Sequence, residues 1–116
     1  MKNYLLTFFG GNPALKYSNL DKAPPEARAA HLKEWSDWMA GLAKSGQLAG
    51  GHPLESAGKN VNSAGINDHD FSKDGAGGFI ILKANSLEEA AQMASSSPII
   101  KNGGEINVQP CGEIKS

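Results

Sequence analysis

The chain has 116 residues, with eleven Lys plus Arg against twelve Asp plus Glu and a formal net charge of −1, a size that builds one domain around a single core. Arg28 is the only arginine and no basic cluster occurs, which removes the usual electrostatic basis for nucleic-acid binding. No apolar run approaches the ~20 residues that cross a bilayer, and the single cysteine, Cys111, excludes an intramolecular disulfide or a thiolate metal cluster, so a cytoplasmic protein is expected.

Tyr4 to Phe9, "YLLTFF", is aromatic and aliphatic at both alternating phases and predicts a strand buried on two faces. Gly10-Gly11 ends it. Asn12 to Ala23 has no periodicity and carries Pro13, Ser18, Asn19 and Asp21, which predicts a long loop of the kind that overhangs a site. Pro24-Pro25 opens a helix, where proline in the first turn sacrifices no hydrogen bond and Glu26 complements the helix dipole. The helix is expected to run to about Ser45 and stop at Gly46. Within it Leu32, Trp35, Met39 and Leu42 form the predicted buried stripe. His31 and Trp38 flank that stripe, four and three residues from Trp35, so the three side chains can share one patch.

Gln47 to Leu54 predicts a glycine-broken edge strand, Lys59 to Ile66 a weakly apolar strand, and Asn67 to Gly77 a polar loop. Gly78 to Ala84, "GFIILKA", is a second strand apolar at both phases. Ser86-Leu87-Glu88-Glu89 reads as a capping box in which the serine bonds the Glu89 amide and the Glu89 side chain returns to the cap. The helix it opens ends at Ser97-Pro98. Gly103-Gly104 turns the chain into a last, half-buried strand, Glu105 to Gln109.

The resulting order, β-α-β-β-α-β, predicts a single ferredoxin-like α+β domain over residues 1–116, a four-stranded antiparallel sheet with both helices on one face. Two helices cover one face only. Because exposed apolar area is costly at ~25 cal/mol per Å², the second face calls for a covering surface, and a face-to-face homodimer supplies one.

Four residues are candidates for a site. His31 titrates near neutrality and can act as general acid or base. Trp35 and Trp38 offer rigid faces for a small cyclic or aromatic ligand, with core packing as the competing role. His52, between Gly50-Gly51 and Pro53, sits where backbone approaches a ligand closely; a surface turn is the competing role. Asp68-His69-Asp70 has the composition of a metal triplet but not the spacing, so no metal is expected. The four Gly-Gly pairs lack a phosphate-loop ending, and Cys111 has no evident activating base. No cofactor is expected.

"YLLTFFGG", "PPEARAAHLKEWSDWMAGLAKSGQLAGGHPLESAGKNV", "GGFIILKANSLEEAAQMASSSPII" and "GGEINVQP" together resemble the YCII-related proteins, in particular the subgroup called DGPF-domain proteins. The resemblance implies a dimeric α+β barrel. It also implies a catalytic dyad of a first-helix histidine with an acidic residue, and a relationship to dehydrochlorination of aromatic compounds. His31 matches that histidine. Asp37 is a candidate acid but falls on another helix face, and the loop that would hold the Asp-Gly-Pro-Phe motif reads "INDHDFSKDGAGGF". Two functions follow as expectations: a cofactor-independent lyase- or isomerase-type enzyme using His31, or a non-catalytic ligand- or partner-binding dimer.

Overall fold

The computed structural model describes residues 1–114. Its elements in chain order are β1 (Lys2–Gly10), two 3-10 segments (Pro13–Leu15 and Tyr17–Lys22), α1 (Pro25–Lys44), β2 (Leu48–Pro53), β3 (Ala57–Asn62), β4 (Gly65–Asp70), β5 (Gly78–Ala84), α2 (Leu87–Ala94), α3 (Pro98–Lys101) and β6 (Gly104–Pro110). The main sheet is antiparallel with four strands in the order β2-β5-β1-β6. This is the ferredoxin-like arrangement: β1 and β5, the two strands apolar at both phases, take the centre.

Alternation sorts the two faces. Tyr4, Leu6 and Phe8 of β1 and Ile80, Leu82 and Ala84 of β5 are buried together with Leu42 of α1 and Ala90 and Ala94 of α2, so both helices lie on that face. Leu6 and Leu82 are wholly buried, each contributing roughly 1.5–3 kcal/mol of apolar transfer. The alanines of α2 let it approach the sheet closely, whereas α1 buries only Leu42 completely. Leu5, Phe9, Phe79 and Ile81 point to the other face and are half-buried.

Three local expectations are corrected. Lys59 to Ile66 is not one strand: the Asn62 side chain accepts a hydrogen bond from the Ala64 amide at 2.8 Å, closing a side-chain-driven turn after which β4 starts at Gly65 and runs into the first residues of the expected polar loop, to Asp70. β3 and β4 pair only with each other, Val61 opposite Ile66, and form a hairpin projecting from the body. Asn12–Ala23 is two short 3-10 segments, the first capped by Asn12. The Ser86 hydroxyl accepts the Glu89 amide at 3.1 Å as expected, but the Glu89 carboxylate accepts from Gln47 Nε2 at 3.0 Å instead of returning to the cap.

Candidate functional site: a cavity beneath the first helix

A cavity of about 300 Å³ opens between the N-terminal half of α1 and the sheet. Its position follows from how α1 packs. The C-terminal half of the helix is fixed by Leu42 in the core and by Met39 against it, while the proline-led N-terminal half is mostly exposed and faces the cavity through His31, Leu32 and Trp35. Leu32, expected in the buried stripe, is 50% exposed because it borders this opening.

The helix wall of the cavity is His31, Leu32, Trp35 and Met39. Phe8, Gly51, Gly77, Gly78, Phe79 and Ile80 supply the sheet side, and Ile99 and Asn102 close the end at α3. Gly51 has φ 157°, and a Cβ there would stand 2.6 Å from the Phe79 carbonyl oxygen and 2.9 Å from Ile80 Cγ1. A side chain at this position is therefore excluded by its own sheet neighbours.

The roof comes from the segment without periodicity. Asn12, Leu15, Lys16, Tyr17 and Leu20 all line the cavity, so Asn12–Ala23 overhangs the site as its composition suggested. It is strapped down at several points. Lys16 Nζ donates to the Ser72 carbonyl at 2.7 Å, the Ser56 amide donates to Ser18 Oγ at 3.0 Å, and Arg28 Nη1 donates to the Asp21 carbonyl at 3.2 Å. Ser56 and Ser72 flank the β3–β4 hairpin, so the roof is tied to the hairpin's base.

His31 is half-buried, and its Nε2 accepts a hydrogen bond from the Trp35 indole N–H at 3.1 Å. An indole nitrogen only donates. Nε2 must therefore hold a lone pair, and the neutral ring carries its proton on Nδ1. Burial lowers the His31 pKa from its ordinary value of 6.5, with Glu34, exposed on the next turn, pulling the other way. The indole bond acts with burial, because it can form only to the neutral ring. Among the described residues no carboxylate bonds His31; Asp37, the sequence candidate for that role, pairs with Lys33 at 2.8 Å in solvent.

The other candidates separate. Trp35 lines the cavity and packs edge-on against Phe8 with ring centroids 5.3 Å apart. Trp38 meets Trp35 at 5.8 Å but donates its indole N–H to Ser96 Oγ at 3.2 Å, which turns it toward the end of α2 and out of the lining. The expected trio is thus a pair. His52 borders the cavity, yet its cross-strand neighbour is Phe79, with ring centroids 6.0 Å apart. Phe79 alternates with the buried Ile80, so the His52 ring lies on the sheet face away from α1 and does not join His31. Asp68 of the hairpin is ion-paired with Lys59, and His69 stacks at 4.3 Å on Phe71. No group of three or more His, Cys, Asp or Glu side chains among the described residues is arranged to hold a metal ion.

A ferredoxin-like α+β domain with a ligand-sized cavity under its first helix is the class this architecture defines. The chain belongs to the YCII-related domain family, whose model matches residues 14–111. Among solved structures it is similar to the 5-chloro-2-hydroxyhydroquinone dehydrochlorinase TftG from Burkholderia phenoliruptrix AC1100, in complex with 2,5-dihydroxybenzoquinone. The match has a TM-score of 0.55 at 16% identity and covers 95% of this chain and 93% of that one. No curated protein matches the chain.

Proposed function

We propose that the protein binds a small cyclic, largely apolar compound in the cavity beneath α1 and processes it without a cofactor, with His31 moving or directing the proton. The observation that carries this reading is a half-buried histidine, kept neutral near physiological pH, on the wall of an otherwise mainly apolar cavity. About 150 Å³ of apolar cavity is enough for benzene, so about 300 Å³ suits a substituted single ring. Elimination, isomerisation or hydration on such a ring requires only a positioned proton carrier and exclusion of water. With Nε2 occupied by the indole, His31 meets the substrate through Nδ1–H. It acts first as a donor that polarises a ring oxygen, and becomes a base only by exchanging the Trp35 bond. That the similar dehydrochlorinase was solved with a dihydroxybenzoquinone supports a ligand of this size and shape.

The second reading, a non-catalytic ligand- or partner-binding module, is favoured by one observation: the partner of His31 is an indole N–H and not a carboxylate that would orient it for base catalysis. A metabolite library screened by thermal shift, followed by turnover assays on the compounds that stabilise the protein, separates the two. The catalytic reading expects His31→Gln to lower turnover by about 10²–10⁴-fold, the usual contribution of a positioned acid or base, with melting little changed. Tight ligand binding without turnover by the native protein supports the binding module.

A homodimer forms part of the proposal. The half-buried apolar side chains Leu5, Phe9, Phe79 and Ile81 on the uncovered face support a second copy packed sheet to sheet. The exposed free thiol of Cys111 suits a reducing compartment such as the cytoplasm.

A further inference from the structure

The two indoles of α1 stand nearly perpendicular, ring centroids 5.8 Å apart, and donate to different partners: Trp38 to Ser96 Oγ at 3.2 Å and Trp35 to His31 Nε2 at 3.1 Å. Trp35 and His31 are one helical turn apart, so the backbone itself brings donor to acceptor. The indole is steadied from the sheet side by Phe8, edge-on at 5.3 Å, and its plane lies at 78° to the imidazole. Among the described residues nothing accepts from His31 Nδ1–H, and Ser97 Oγ is the one buried side-chain polar atom left without a partner. Nδ1 is therefore on accessible surface, on a residue that lines the cavity. A carboxylate beside a histidine does the reverse of this indole: it accepts a ring N–H, leaves the far nitrogen bare and makes that nitrogen a stronger base.

We infer that Trp35 is a positioning residue that holds His31 as a fixed hydrogen-bond donor toward the cavity, and that the ligand class this donor fits is a neutral ring carrying a carbonyl oxygen. This rests on the cavity reading above and adds the residue that sets the form of His31 and the hydrogen-bonding sense of the ligand. A carbonyl oxygen offers lone pairs to Nδ1–H and brings no proton of its own into mainly apolar walls, where an unpaired polar hydrogen is costly. A step that begins with charge growing on that oxygen finds His31 already in place. Trp35 acts on the ligand's oxygen only through His31.

Nitrogen-15 magnetic resonance of the full chain tests this at about pH 8, above the ordinary histidine pKa. His31 should show one tautomer, with Nδ1 protonated and Nε2 bare, and a scalar coupling across the bond from the Trp35 indole nitrogen to Nε2. His52 and His69, both exposed, should show the mixed tautomers of a free imidazole. Trp35→Phe, which keeps an aromatic ring beside Phe8 but removes the donor, should return His31 to that mixture while the His52 and His69 signals stay in place. The coupling is read in the native protein, so it decides the matter even where the variant unfolds. Acetophenone, a neutral ring with a carbonyl oxygen, should shift His31 Nδ1–H on binding and leave the coupling intact. A missing coupling, a single tautomer persisting in folded Trp35→Phe, or acetophenone binding that breaks the coupling or leaves Nδ1–H unmoved would overturn the inference and leave the cavity reading standing. Failure of acetophenone to bind would overturn both.

Discussion

Burial holds the His31 pKa below its ordinary 6.5, against the opposing pull of Glu34, and this ties stability to pH. In the unfolded chain His31 takes up a proton as pH falls through about 6.5, while the folded protein resists it until a lower pH. Between the two values the unfolded state binds more protons, so His31 contributes stability above about 6.5 that is lost as pH falls through the lowered folded value. Denaturation midpoints from neutral to mildly acidic pH should show this decline, and His31→Gln should lessen it. Other side chains sort by surroundings. Ser97 is fully buried and its hydroxyl has no partner among the described residues, so Ser97→Ala should stabilise by about 1 kcal/mol in chemical denaturation. Trp35 is a cavity wall and only half-buried, so Trp35→Ala should cost about 2 kcal/mol, below the ~3–5 of a sealed core site. Gly51→Ala should destabilise and crowd the cavity, because its Cβ would meet backbone at 2.6 Å.

The elements differ in how openly the residues declare them. β1 and β5 were legible as short runs apolar at both phases, Tyr4 to Phe9 and Phe79 to Leu82, and α1 and α2 by the helical stripe ending at Leu42 and the capped, alanine-rich run Leu87 to Ala94. The hairpin was not, since β3 and β4 are almost wholly exposed and Lys59, Asn60, Asn67 and Asp68 carry no alternation to read. The roof was legible as a loop but not as a binding wall: Lys16 and Tyr17 reach the cavity through two 3-10 segments whose geometry leaves no sequence period. Trp38 misled because helical spacing fixes where a side chain starts and not where its polar edge is drawn, here to Ser96. Hydrogen exchange should follow the same division, with the amides of β3 and β4 exchanging well before those of β1 and β5, as an isolated two-stranded ribbon is marginal. At α2, Ser86→Ala should lower stability by about 1 kcal/mol through loss of the cap.

For the whole molecule, the uncovered face sets the proposed assembly. Sedimentation at micromolar concentration should give about 24 kDa, twice the 12.2 kDa of one chain, and Ile81→Lys on that face should yield monomers. Within one chain, β1 bonds β5 on one side and β6 on the other, Leu6 lying between Ile80 and Val108. That placement sets a schedule for synthesis. β1 precedes the other three strands of the sheet in the chain and is one of its two inner strands, and neither of its neighbours is complete until residues 78–110 have left the ribosome. Until then "YLLTFF" travels as an unpaired apolar segment, a natural client for a holding chaperone, and loop closure makes its pairing slow even once the partners arrive. Chains arrested on the ribosome before residue 78 should therefore remain protease-sensitive, with resistance appearing only once β6 has emerged.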